Sequence, residues 1–125
     1  MEKTAIQESV EQLYAQGRLD EAIKLLSEAI TKQESCSLWN DWGVVQIALA
    51  ERAFRRALKL EPANGGTAAN LAVLLYSQGR SVEAVPLLRQ ALGQAEGLPR
   101  AHLAALLAHC ESAVSPPSAS VATPG

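Results

Sequence analysis

Two stretches of the chain repeat one another closely. Residues 13–30 read LYAQGRLDEAIKLLSEAI, and residues 75–92 read LYSQGRSVEAVPLLRQAL. The second half of the same unit returns in residues 51–62, ERAFRRALKLEP, and its Ala57 precedes Ala91 by 34 residues. A repeat of this length restricts the chain to an architecture in which one small structural unit stacks on further copies of itself.

Each unit has the pattern of two helices joined by a tight turn. Gly79 is expected to end the first helix of the last unit, because glycine adopts the left-handed conformation that closes helices. Small Ala84 and Ala91 on the second helix would let the two helices approach closely. Alanine and leucine dominate the composition and aromatic residues make up only 4%. These features predict an all-α fold.

The repeated unit resembles the tetratricopeptide repeat over residues 3–62 and 65–96. The start of that family's signature corresponds to Trp39, Trp42, Gly43 and Gln46, with Trp and Gln in place of the usual Leu and Tyr. Its later part corresponds to Ala50, Phe54, Ala57 and Pro62. The resemblance implies a helix-turn-helix solenoid, wound as a right-handed superhelix, with repeats at 3–36, 37–62 and 65–96.

The C-terminal part divides into a helix and a tail. Residues 99–114 read as one more helix, and the resemblance implies that it caps the last repeat. The domain would then cover residues 1–114. Residues 115–125, SPPSASVATPG, have little to bury and are expected to be disordered.

The middle repeat is five residues too short. Nineteen residues separate Val10 from Ala29, and Ala72 from Ala91, but only 14 separate Gly43 from Ala57. The missing part corresponds to the turn and the start of the second helix. Apolar and charged stripes continue through the junction without a change of phase, which predicts one helix over 37–61. A tight hairpin at residues 48–51 is the alternative.

A missing turn has a consequence for assembly. The two halves of the middle repeat could not fold back on each other, so each would expose an apolar face. A second chain can supply the absent half in both directions, which predicts a domain-swapped homodimer. The residues assigned to dimer contact or packing are Trp39, Trp42, Ala50 and Phe54.

The resemblance also implies a ligand groove lined by the first helix of each repeat. By alignment, its candidate partner-binding residues are Gln7, Glu11 and Tyr14, then Asn40, Val44 and Ile47, then Asn70, Val73 and Tyr76. Asn70 is similar to the asparagine with which the family holds peptide backbones. A protein or peptide partner, which binds in this groove as a peptide or a helix, is therefore expected.

No set of residues points to catalysis. His102 and His109 lie two helical turns apart, which is too far for them to share a metal ion. The alternative reading is a zinc or redox protein that uses His102, His109 and Cys110, and it would require metal in the purified protein. The serines beside Cys36 have no neighbouring base. We expect no enzyme activity, no cofactor and no metal.

Charge and hydropathy limit the classes of partner that we expect for this chain. The net charge is −2 and no run of residues is apolar enough to span a membrane, so neither nucleic acid nor membrane is expected. Two widely separated cysteines are simplest as reduced thiols, which favours the cytoplasm. Four basic residues lie on one helix face: Arg52, Arg55, Arg56 and Lys59. This basic set is either a solvated surface or a docking patch, and a docking patch would bind an acidic partner or the acidic first repeat.

Together these features predict a non-catalytic protein-interaction module that acts as an adaptor or assembly part. The alternative is a recognition or regulatory fragment of a larger enzyme.

Overall fold

The chain forms six α-helices over the residues that the computed structural model describes, 3–94 and 99–114. They are α1 (Ala5–Ala15), α2 (Leu19–Lys32), α3 (Cys36–Leu60), α4 (Gly65–Ser77), α5 (Ser81–Gly93) and α6 (Arg100–Val114). No strand occurs in those two ranges, and the predicted all-α class is confirmed. The tail 115–125, for which disorder was predicted, lies outside the described residues.

The helices are divided between two compact units, and the division falls inside α3. Unit 1 is Met1–Arg52 and contains α1, α2 and the first part of α3. Unit 2 is Ala53–Gly125 and contains the rest of α3 with α4, α5 and α6. Each unit has a hydrophobic core of its own.

The core of unit 1 forms where α3 packs against the hairpin of α1 and α2. Val10 of α1, Leu26 of α2 and Val45 of α3 are all buried there. Trp42 and Leu49 pack against this core from α3 and remain partly buried. The N-terminus of α1 is capped by Thr4, whose hydroxyl accepts the Gln7 backbone N–H while the Gln7 side chain accepts the Thr4 N–H.

The same turn closes the helical hairpin in each unit. Gly17 and Gly79 have φ values of 74° and 76°, the left-handed region that favours glycine. The next residue, Arg18 or Arg80, donates its backbone N–H to the carbonyl oxygen of the leucine five residues earlier, Leu13 or Leu75, at 2.9 Å. The two arginines also bind glutamates three residues later, through two hydrogen bonds each: Arg18 to Glu21 and Arg80 to Glu83.

The core of unit 2 is built from small residues facing leucines. Four alanines of α4 and α5 are completely buried, together with three leucines: Ala68, Ala72, Ala84 and Ala91, with Leu71, Leu75 and Leu88. Because alanine adds only a methyl group, the backbones of α4 and α5 can pack closely. α6 lies against α5 and adds Leu103 and Cys110 to the same core. Phe54 and Leu58 of α3 pack on its outside.

α3 is a single helix of 25 residues from Cys36 to Leu60. Residues 48–51, where a tight hairpin was the alternative, are helical like the rest of it. The helical spacing of the sequence predicts that Gly43, Ile47, Ala50, Phe54 and Ala57 form one apolar stripe along this helix. The one fully buried residue of α3 is Val45, which lies off that stripe, because the hairpin of unit 1 packs on Val45's side of the helix.

Candidate functional site

Six of the nine predicted groove residues belong to unit 1. Gln7, Glu11 and Tyr14 lie on α1, and Asn40, Val44 and Ile47 lie on the first half of α3. All but Gln7 are exposed, and three of the exposed side chains are large and apolar or aromatic: Tyr14, Val44 and Ile47. Exposed side chains of this kind are available for contact with a partner.

A cleft of about 640 Å³ opens in unit 1 between α1, the end of α2 and the start of α3. Of the predicted groove residues only Gln7 and Glu11 line it. The Gln7 amide donates a hydrogen bond of 2.6 Å to the Ser37 hydroxyl and so ties α1 to α3 at this point. The cleft also contains apolar atoms of Ile6 and Leu38, which the alignment with the repeat signature did not single out.

Lys3 and Glu11, which both line this cleft, form an ion pair. Lys3 Nζ lies 2.6 Å from Glu11 Oε1, and both side chains are more than half exposed. The hydrogen bond and the charge of Glu11 raise the pKa of Lys3 above its ordinary value of 10.5, with smaller contributions from Glu8 and Asp41. An exposed pair of this kind adds little stability. A ligand that enters the cleft with a charge of its own would compete for one of the two partners.

We expect Glu11→Gln to lower the pKa of Lys3 toward 10.5, because the amide keeps the bulk of the side chain without its charge. Glu8→Gln is the control and should lower it less, since Glu8 acts on Lys3 through charge alone. Side-chain NMR titration of Lys3 measures both. A raised lysine pKa stabilises the fold fully below the unfolded value and loses this contribution as pH rises through the folded value. An unchanged pKa in Glu11→Gln would show that the pair does not form in solution.

The other three predicted groove residues lie on α4 in unit 2. Asn70, Val73 and Tyr76 are exposed, and Val73 keeps 49% of its surface in contact with solvent. The Tyr76 ring meets the ring of His109 of α6 edge to face, with centroids 5.7 Å apart. This contact could not be predicted from the sequence, because Tyr76 and His109 lie on different helices whose packing has to be known first.

The two tryptophans of α3 differ in environment. Trp39 is 48% exposed, and its indole N–H donates to a Glu34 carboxylate oxygen at 3.0 Å. Trp42 is half-buried against the core of unit 1, and its ring lies 6.1 Å from that of Trp39. Ala50 and Phe54 are half-buried. Trp39 therefore leaves the larger aromatic surface open to solvent.

Two arginines of the predicted basic set form ion pairs within their own units. Arg52 binds Asp20 of α2 at 2.8 Å, and Arg55 binds Glu83 of α5 at 3.2 Å. The Arg52 contact is to an acid of the first repeat, one of the two docking partners proposed from the sequence. Arg56 and Lys59 are exposed.

The described residues contain neither a cluster of metal-binding side chains nor a membrane-spanning helix. Over residues 3–94 and 99–114, no three His, Cys, Asp or Glu side chains are grouped so that they could hold a metal ion. Of the candidate set for a zinc or redox protein, His102 and His109 are exposed while Cys110 is buried. In the same part of the chain, no helix has the length and apolar character needed to cross a membrane.

Comparison with known proteins agrees with the hairpin of α4 and α5 and its turn. The family model described as tetratricopeptide repeat matches residues 46–110, just over half of the chain and the whole of α4 and α5. No curated protein shows significant similarity to the chain. On this match and on its fold, the chain belongs to the tetratricopeptide repeat family.

Proposed function

We propose that the chain is a non-catalytic adaptor or assembly module of the cytoplasm. It binds a peptide or a helix of a partner protein along the first helices of its repeats, and it works as a domain-swapped homodimer. Tetratricopeptide repeats generally mediate protein–protein interaction and are typically non-catalytic. The cytoplasmic setting is supported by the two cysteines, which are free thiols.

The observation that carries the binding proposal is the exposure of apolar side chains on first helices. Val44 and Ile47 on α3, and Val73 and Tyr76 on α4, are large side chains held at the surface. Binding is favoured when a partner covers these side chains, because apolar surface is then removed from water. Asn70 stands one helical turn before Val73 and can both donate to and accept from a peptide backbone.

The homodimer is supported by the continuity of α3. A continuous helix has no hairpin between its own two halves, whereas α1 with α2 and α4 with α5 each form one. In a swapped dimer, the first half of α3 from one chain would pair with the second half from the other. Repeats at 3–36, 37–62 and 65–96, with 99–114 as the cap, would then all be complete.

The binding proposal is tested with peptides selected from a random display library against the intact chain. We expect Val73→Glu to weaken binding of the selected peptides at least about tenfold, because a carboxylate would have to lose its water under the ligand. The matched control is Val82→Glu at the start of α5, where the native side chain is 68% exposed but lies on a second helix. Fluorescence anisotropy gives both affinities. Equal loss in the two variants, or none in Val73→Glu, would contradict binding along α4.

A further inference from the structure

The cleft of unit 1 combines apolar surface with negative charge. Its apolar lining comes from Ile6 of α1, Ala29 of α2 and Leu38 of α3. Glu11 of α1 and Asp41 of α3 line it as well, so each of these two helices contributes one carboxylate. All five residues belong to unit 1. Such a lining suits a ligand group that has both an apolar part and a positive charge.

The Lys3 side chain brings a group of this kind to the cleft. Lys3 precedes α1, and its Nζ lies 2.6 Å from Oε1 of Glu11, eight residues further along the chain. The hydrogen bond to Glu11 is the main cause of the raised pKa of Lys3, and the negative charge of Asp41 contributes to the same shift. An ammonium group on an apolar stem is therefore already held at these carboxylates.

The two carboxylates are accessible to a ligand at little cost. The side chains of Lys3 and Glu11 are 58% and 56% exposed, and an ion pair that is exposed to this degree contributes little to stability. Asp41 is half-buried, and in the described part of the chain no side chain forms a hydrogen bond or an ion pair with its carboxylate. A basic ligand that displaces Lys3 breaks one weak pair and is attracted by both acids.

The charge of this part of the chain also favours a basic ligand. Residues 3–41 contain seven acids against four bases, and one of those bases is Lys3 itself. Among the described residues that line the cleft, Lys32 of α2 is the one other base. When Lys3 moves out into solvent, the cleft therefore has two carboxylates against one ammonium group. Complementary charge of this kind increases the rate of association and selects among partners.

We propose that the cleft binds a lysine or arginine side chain of the partner peptide, and that Lys3 occupies this position while the partner is absent. The proposal rests on the proposed function, because it names the chemistry of the peptide that unit 1 binds. The charged group of the ligand pairs with Glu11 and Asp41, and its apolar stem lies along Ile6 and Leu38. Lys3 is then an internal competitor that lowers the affinity for the peptide.

The test uses peptides selected from a random display library against the intact chain. We expect them to share a lysine or arginine, and its replacement by norleucine, which keeps an apolar stem without the charge, should weaken binding about fivefold. Asp41→Asn should weaken binding of the unmodified peptide to a similar extent and leave the norleucine peptide unaffected. Glu28→Gln is the matched control, because it removes one negative charge from an exposed position of α2 outside the cleft. It should change the affinity less than about twofold.

Lys3→Gln tests the competition. This variant should bind the unmodified peptide about twofold to fivefold more tightly, because the peptide no longer has to displace an ammonium group from Glu11. Fluorescence anisotropy gives all of these affinities. A lysine that only stabilised the start of α1 would give the opposite result, since its loss would weaken binding or leave it unchanged.

The outcomes separate this proposal from the proposed function. Selected peptides that bind but share no basic residue, or that bind Asp41→Asn as tightly as the native chain, overturn the proposal and leave the proposed function standing. A library that yields no binding peptide contradicts both together. If Asp41→Asn instead changes the mass found by light scattering and leaves the peptide affinity unchanged, the cleft takes a second copy of the chain, which also overturns the proposal.

Discussion

Inserting the five residues GRLDE between Ala50 and Glu51 is expected to convert the proposed homodimer into a monomer. These are the residues of the first turn, Gly17–Glu21, and the structure shows what they do. Gly17 takes a positive φ, and Arg18 binds Glu21 through two hydrogen bonds that also lower the pKa of this glutamate. Placed in α3, they restore the spacing of the complete repeats, so that each chain can close its own hairpin.

The insertion is expected to have a large effect on oligomeric state because it changes how the apolar side chains of α3 are buried. In the swapped dimer, the side of α3 that carries Ile47, Ala50 and Phe54 would be buried more completely when two chains meet, and each large apolar side chain contributes about 1.5–3 kcal/mol when fully buried. With the turn restored, the same surface is covered within one chain, without the entropic cost of association. Light scattering measures the mass of both proteins.

A second insertion serves as the control. The same five residues placed between Gln33 and Glu34 lengthen the connection of α2 to α3, and a longer surface loop costs little. That protein should remain a dimer. A native chain that is already monomeric, or a dimer that survives the insertion at Ala50, would count against the swap.

The helices and turns of this chain could be predicted because each has a local cause. Gly17 and Gly79 interrupt two apolar patterns at the same place, and both take the left-handed conformation that ends a helix. Where the corresponding turn is missing, residues 48–51 (ALAE) are strong helix formers, and the structure has one helix there.

The details of packing could not be predicted in the same way. Burial of Val45 depends on the side from which the α1–α2 hairpin approaches α3, and a helical pattern alone does not fix that side. The Tyr76–His109 ring contact joins two helices that are separated in sequence by α5. The Lys3–Glu11 pair joins a residue before α1 to one inside it, and either side chain could equally have pointed into solvent.

Leu88→Ala is expected to destabilise the fold by about 2–5 kcal/mol, the range measured for leucine truncation in well-packed cores. Leu88 of α5 is completely buried in the core that α4, α5 and α6 share, so the lost methyl groups leave a cavity. Its neighbours Ala84 and Ala91 are short and cannot extend into the space. For a chain of this size the midpoint of thermal unfolding should fall by roughly 10 °C. Thermal denaturation followed by circular dichroism, with urea unfolding for the free energy, measures the change.

The matched control for Leu88→Ala is Leu60→Ala, the same chemical change at the end of α3, where the side chain is 72% exposed. A truncation at the surface removes few contacts and should alter stability by no more than about 0.5 kcal/mol. The contrast between the two variants tests the core of unit 2 directly, because both lose the same atoms and differ in burial. If Leu88→Ala unfolds at the same temperature as Leu60→Ala, then α5 does not pack in solution as the repeat register requires.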